Sequence, residues 1–122
     1  MWHTGQEHLL ARECAAAGAL IPEIASLMAV PLIQGFLYFA DPQGGAGGDK
    51  EASELWAFSA AILPWIAECD ADVAATVRVN SDISVATAPM SDGFVAVKAE
   101  LEKVYSCMGI TCAQVGGLLD GD

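Results

Sequence analysis

The stretch KEASELWAFSAAILPWIAECD, residues 50–70, decides what this chain can fold into. Leu55, Phe58, Ile62, Trp65 and Ile66 recur at steps of three and four and therefore share one face of a helix, the central one of a packed core. Ala57, Ala60 and Ala61 beside them predict close approach of a neighbouring helix. Glu51 and Glu54 put negative charge at the positive end of the helix dipole. Pro64 lies inside the periodic run, where it removes one backbone hydrogen bond and predicts a kink near Ala60. Cys69 ends the helix, and the short acceptor side chain of Asp70 suits the cap of the next one.

What surrounds this helix must be more helix. Apolar residues make up 54% of the chain but aromatic ones only 7%, with much alanine, which favours closely packed helices over a β-sandwich. A length of 122 residues fits one domain. Sixteen acids against five bases leave a formal charge of −11, so nucleic-acid backbones and anionic lipid are repelled, whereas metal cations or a basic protein surface are attracted.

Four segments complete the expected fold. Residues 5–18 form an amphipathic helix with Leu9, Leu10 and Cys14 on one side, ended by Gly18. Residues 24–40, IASLMAVPLIQGFLYFA, carry no charge and nearly reach the length of a membrane span. Pro31, Gln34 and Gly35 interrupt that run and no basic residue flanks it, so it reads as two buried helices breaking at Val30 and Pro31. The glycine-rich DPQGGAGGD, from Asp41 to Asp49, is a loop; it lacks the GK[ST] of a phosphate loop. Residues 71–80 give a short helix with Val73 and Val77 inward and Asn80 as its cap, and 81–90 a loop. Ser91 caps a helix through Cys107, with Phe94, Val97, Leu101, Val104 and Tyr105 inward and Lys98, Glu100, Glu102 and Lys103 towards water. Gly109 breaks it by taking the left-handed conformation, and one further turn leads to the tail, Asp120 to Asp122. The sum is an all-α, up-and-down bundle of about four main helices in a single domain.

An even count of cysteines, Cys14, Cys69, Cys107 and Cys112, in a small acidic chain points to disulfides and an oxidising compartment: periplasm, lumen or cell surface. None forms CxxC, and two histidines make poor material for zinc. MWHTGQEH lacks the basic and apolar regions of a signal sequence, so a processed chain or a portion of a longer one is expected.

The segments VPLIQGFLYFAD, ELWAFSAAILPWIAECDADVAATVRVN and FVAVKAELEKVYSCMGITCAQVGGLLD resemble the repeated domain of the algal low-iron-inducible periplasmic proteins, a group that includes the phytotransferrins. AAILPWIAECDA and CMGITCAQVGG are the most specific pieces, and the likeness runs from Val30 to Asp120. The resemblance implies a secreted or surface-held helical domain of iron assimilation, with ferric iron bound alongside carbonate. Those proteins carry more than one such domain, so this chain resembles one C-terminal unit, and a site shared between domains is half present. Cys69, Cys107 and Cys112 fall inside the matching motifs and Cys14 outside; the pairings Cys107 with Cys112, or Cys69 with either, both remain open.

Ferric iron prefers carboxylate and phenolate oxygens with some imidazole nitrogen. His3 and Glu7 share a helix face with His8 nearby, and Glu51 and Glu54 form a second pair; docking of the first helix beside the start of the central one brings them together. Each pair is more often the composition of a solvated face or a frayed end. No nucleophile motif and no apolar-embedded acid pair is present, so no enzyme is expected. The alternative function is a non-catalytic accessory subunit docking on a larger lumenal or membrane-associated assembly, anchored by any exposed member of Trp2, Trp56 and Trp65, of which Trp56 and Trp65 are expected inside.

Overall fold

The computed structural model describes residues 1–41, 48–84 and 89–117, and among these the chain is all-α with no strand. Seven helical segments follow one another: α1 (Trp2–Leu10), α2 (Cys14–Ala19), α3 (Ile21–Ala40), α4 (Asp49–Cys69), α5 (Ala71–Ser81), α6 (Phe94–Glu102) and α7 (Cys112–Val115). From α3 to α6 each packs on the next, and α7 returns to α3. Most of the loop expected at 41–49 lies outside the described residues, as do 85–88 and the tail.

The central helix forms as its periodicity predicts. Leu55, Ile62 and Ile66 are fully buried, with Phe58 and Trp65 packed against the core from its edge. Small residues do permit a close approach, but Ala57, Ala60 and Ala61 face outward. The close contact is at Gly35 of α3, where an added Cβ would lie 2.3 Å from the Phe58 ring. Asp70 caps α5 as expected, its Oδ1 accepting from the backbone N–H groups of Asp72 (2.9 Å) and Val73 (3.1 Å). Val73, Val77, Val97, Leu101, Val104 and Tyr105 complete the core.

A disulfide joins Cys69 at the end of α4 to Cys107, with Cα atoms 5.9 Å apart. The turns after α6 are then drawn onto α3: Ser26 Oγ lies 2.9 Å from the Met108 carbonyl, and Gln34 Nε2 donates to the Val115 carbonyl at 2.8 Å. Gly109, at φ 70°, ends the α6 extension; the Ile110 N–H bonds back to the Tyr105 carbonyl and the Gly109 N–H to that of Ser106. A Cβ at Gly109 would meet Ser26 Oγ at 2.6 Å, so the same residue serves both the turn and the helix contact.

Four expectations are corrected. Residues 24–40 do not break at Val30 and Pro31; α3 is one helix with Pro31 inside it. Pro31 and Leu27, whose carbonyl loses its helical N–H partner, both lie on the exposed side, so the freed carbonyl is not sealed inside the core. The first helix is two helices, because Arg12 at φ 60° ends α1: its N–H bonds to Leu9 and that of Glu13 to His8. Ser91 caps nothing; α6 begins after Gly93, and Ser91 Oγ turns to Asn80. Asn80 is not a cap but a buried hub inside α5, its Nδ2 donating to Thr76 O (2.9 Å) and Asp92 Oδ2 (2.8 Å) while its Oδ1 accepts from the Asp92 N–H (2.9 Å).

Candidate functional site

The apolar residues of the N-terminal quarter find no cover within the chain. Neither α1 nor α2 contains a buried residue. They form a hairpin turned at 11–13, with Gly5 beside Leu20, and Trp2 (68% exposed), Leu9 and Leu10 (85%) stand on its surface. The exposure continues along α3: Ile21, Met28, Pro31 and Tyr38 recur at steps of seven, three and seven on one side, joined by Leu27. The opposite side, Ala29, Ile33, Phe36, Leu37 and Ala40, faces the core. α3 thus carries large apolar residues on both sides, with Glu23 and Gln34 interspersed on the exposed one, and is buried on one side alone. Cys14–Ala40 is the one stretch of described residues long and apolar enough to cross a membrane, and only 11% of its most apolar window is buried. The sequence signal for this was the uncharged run itself, since a helix apolar all round has two faces to cover.

The bases of the other helices are paired. Lys50, Arg78, Lys98 and Lys103 each pair with an acid on their own helix or its end, respectively Glu54, Asp82, Glu102 and Glu100. Arg12, at the hairpin turn, is the one base among the described residues without an acid partner. Cys14 beside it is an exposed thiol, as is Cys112 at the opposite end of the chain.

The candidate metal donors fall into separate pairs. His3 Nε2 lies 3.3 Å from Glu7 Oε1, and His8 Nδ1 lies 2.6 Å from Glu13 Oε2. Glu54 pairs with Lys50, and Glu51 lies in the first turn of α4. α1 packs on α2 rather than along α4, and among the described residues no three His, Cys, Asp or Glu side chains gather to hold a metal ion, so the two groups are not brought together. The pairs therefore offer two donors at a time.

One tryptophan departs from expectation, and Tyr105 lies inward as expected. Trp56, expected inside, is 40% exposed and walls an open groove of about 810 Å³ between α4 and α5, floored by Ala60, Ala67, Ala71 and Ala75. At its end Asp82 accepts from Ser84 Oγ (2.6 Å) and the Ser84 N–H (2.8 Å) and pairs with Arg78 Nε (3.2 Å); the Ser84 bonds, helped by Arg78, hold its carboxyl below the usual range against the effect of partial burial. Within the core the Tyr105 hydroxyl has no hydrogen-bond partner among the described residues, and burial first, then the nearby Glu102 carboxylate, pushes its pKa up. It is a core phenol, far from a ready phenolate ligand. No family model, curated protein or solved structure matches this chain, so the site is read from its own geometry.

Proposed function

We propose that this chain is a non-catalytic helical module, held in an oxidising extracytoplasmic compartment, that works by docking through the exposed face of α1, α2 and α3. One observation carries the reading: α3, whose core side is fully packed, leaves Ile21, Leu27, Met28 and Tyr38 on its other side exposed to solvent. The disulfide between Cys69 and Cys107 supports the compartment. A photoreactive side chain placed at Leu10 tests the docking role in the native setting. Cross-linking from position 10 and none from the equally exposed Val95 is the expected result; no adduct at position 10 sinks the proposal.

A second reading, ferric iron assimilation with carbonate, is favoured by the His3–Glu7 and His8–Glu13 pairs on one exposed hairpin. Each pair supplies one imidazole and one carboxylate, a hard donor set suited to ferric ion, and carbonate supplies further oxygens. The remaining ligands come from another domain or chain. Calorimetric titration with ferric ion, with and without bicarbonate, tests it: heat of binding that His3→Ala removes supports the reading, and no heat under either condition ends it.

A further inference from the structure

We infer that the groove between α4 and α5 is a docking site for a basic amphipathic helix of a partner protein. The groove is lined by residues of these two helices and Asp82 alone, apart from the α1–α3 face, so the inference stands whether or not that face docks. Its shape suits a helix. From Trp56 to Ala67 it follows α4 for about 17 Å, roughly three helical turns. The alanine floor lets a third backbone come close, and Trp56 and Val79, 40% and 49% exposed, supply the large apolar contacts. A groove open along its length leaves much of a small ligand in water, whereas a helix laid into it covers both walls.

Charge and hydrogen bonding give the partner its sign. The one base that lines the groove, Arg78, is already paired with Asp82. Asp72 lies on the same face of α5 as Ala75 and Val79, and Glu68 stands one turn beyond Pro64, so both acids flank the groove where α4 meets α5. Neither has a basic partner among the described residues, which include all five bases of the chain. The rim is therefore negative and attracts lysine or arginine, while a second copy of this chain, at −11, and an anionic lipid carry the wrong sign. The groove also holds an acceptor of its own. Pro64 has no N–H, so the carbonyl of Ala60, one turn before it and also in the lining, loses its helical donor. An ammonium or guanidinium group donates to such a carbonyl, and an ionised carboxylate does not.

Fluorescence anisotropy of a labelled synthetic amphipathic helix of lysine, alanine and leucine, titrated with the whole chain, tests the inference. Saturable binding that weakens with added salt is expected, and none by the counterpart peptide with glutamate in place of lysine. Ala75→Gln fills the floor without changing charge and should weaken binding at least about tenfold. Ala57→Gln, the same change at an exposed alanine of α4 outside the groove, should leave it unchanged. Asp72→Asn should weaken it about threefold and flatten its salt dependence. Matching circular dichroism and melting of the two alanine variants keep a folding defect out of the comparison. No saturable binding of the lysine peptide overturns the inference. Equal effects of Ala75→Gln and Ala57→Gln overturn it too, because the attraction is then that of an acidic surface at large. Binding of an apolar dye that Ala75→Gln abolishes, with no binding of the peptide, makes the occupant a small molecule and likewise overturns the helix.

Discussion

The hairpin of α1 and α2 and the core helices α4 and α5 are alike in alanine content and both carry large apolar side chains, fewer in the hairpin, yet one buries none of its residues and the other supplies the centre of the fold. The difference lies in what each is offered to pack against. α4 has α3 on one side and α5 on the other and is clipped by the Cys69–Cys107 bridge, while α1 and α2 have chiefly each other. Local pattern makes a helix amphipathic; a partner of matching shape makes it stable. α3 belongs to both regions, its buried side to the bundle and its exposed side to the hairpin's surface.

Mutation separates the two sides of this one helix. Ile33→Ala, in the fully buried row, is expected to cost about 2–5 kcal/mol of unfolding free energy in urea titrations of the monomer. A cost below about 1 kcal/mol would mean that the two sides do not differ. Cys69→Ser removes a bridge spanning 38 residues and should cost about 4 kcal/mol by the loop-entropy relation, seen as a lowered melting temperature under oxidising conditions; an unchanged one would mean the bridge contributes nothing to the core.

The core was largely readable from sequence, and the uncovered side of α1 to α3 only through the uncharged run of residues 24–40. The step of three and four in 50–70, the cap at Asp70 and the glycine turn at Gly109 are local rules, satisfied by residues whose side chains act within a few positions. Arg12 adopts the same left-handed turn as Gly109, but nothing in an arginine announces it. From sequence Asn80 looks like a cap because only its nearest chain neighbours are in view, whereas its partner Asp92 lies twelve residues away and is met only after the fold closes. Pro31 looks like a break because its exposure, which makes it tolerable, is a property of the packed helix. Cysteine spacing left the pairing open for the same reason. The separate placement of the His3–Glu7 pair and Glu54 likewise depends on where α1 docks, which periodicity does not encode.

Smaller effects sharpen the contrast. Asp82, where α5 ends, has a folded pKa below its ordinary 3.8, so its bonds stabilise the fold above that value and the contribution is lost as pH falls through the lower folded one. The urea midpoint should drop on acidification through this range, and part of the drop should vanish in Asp82→Asn; an identical pH profile in the variant would show that Asp82 does not couple to the fold. Leu10→Ala, 85% exposed on the hairpin, should change monomer stability by no more than about 0.5 kcal/mol. A larger loss would place Leu10 in the fold's own core.

Amide hydrogen exchange across the whole chain in dilute protein tests the central claim most directly. The account predicts slow exchange in α4 and α5 and fast exchange in α1 and α2. Hairpin amides already as protected as those of α4 in dilute protein would contradict it.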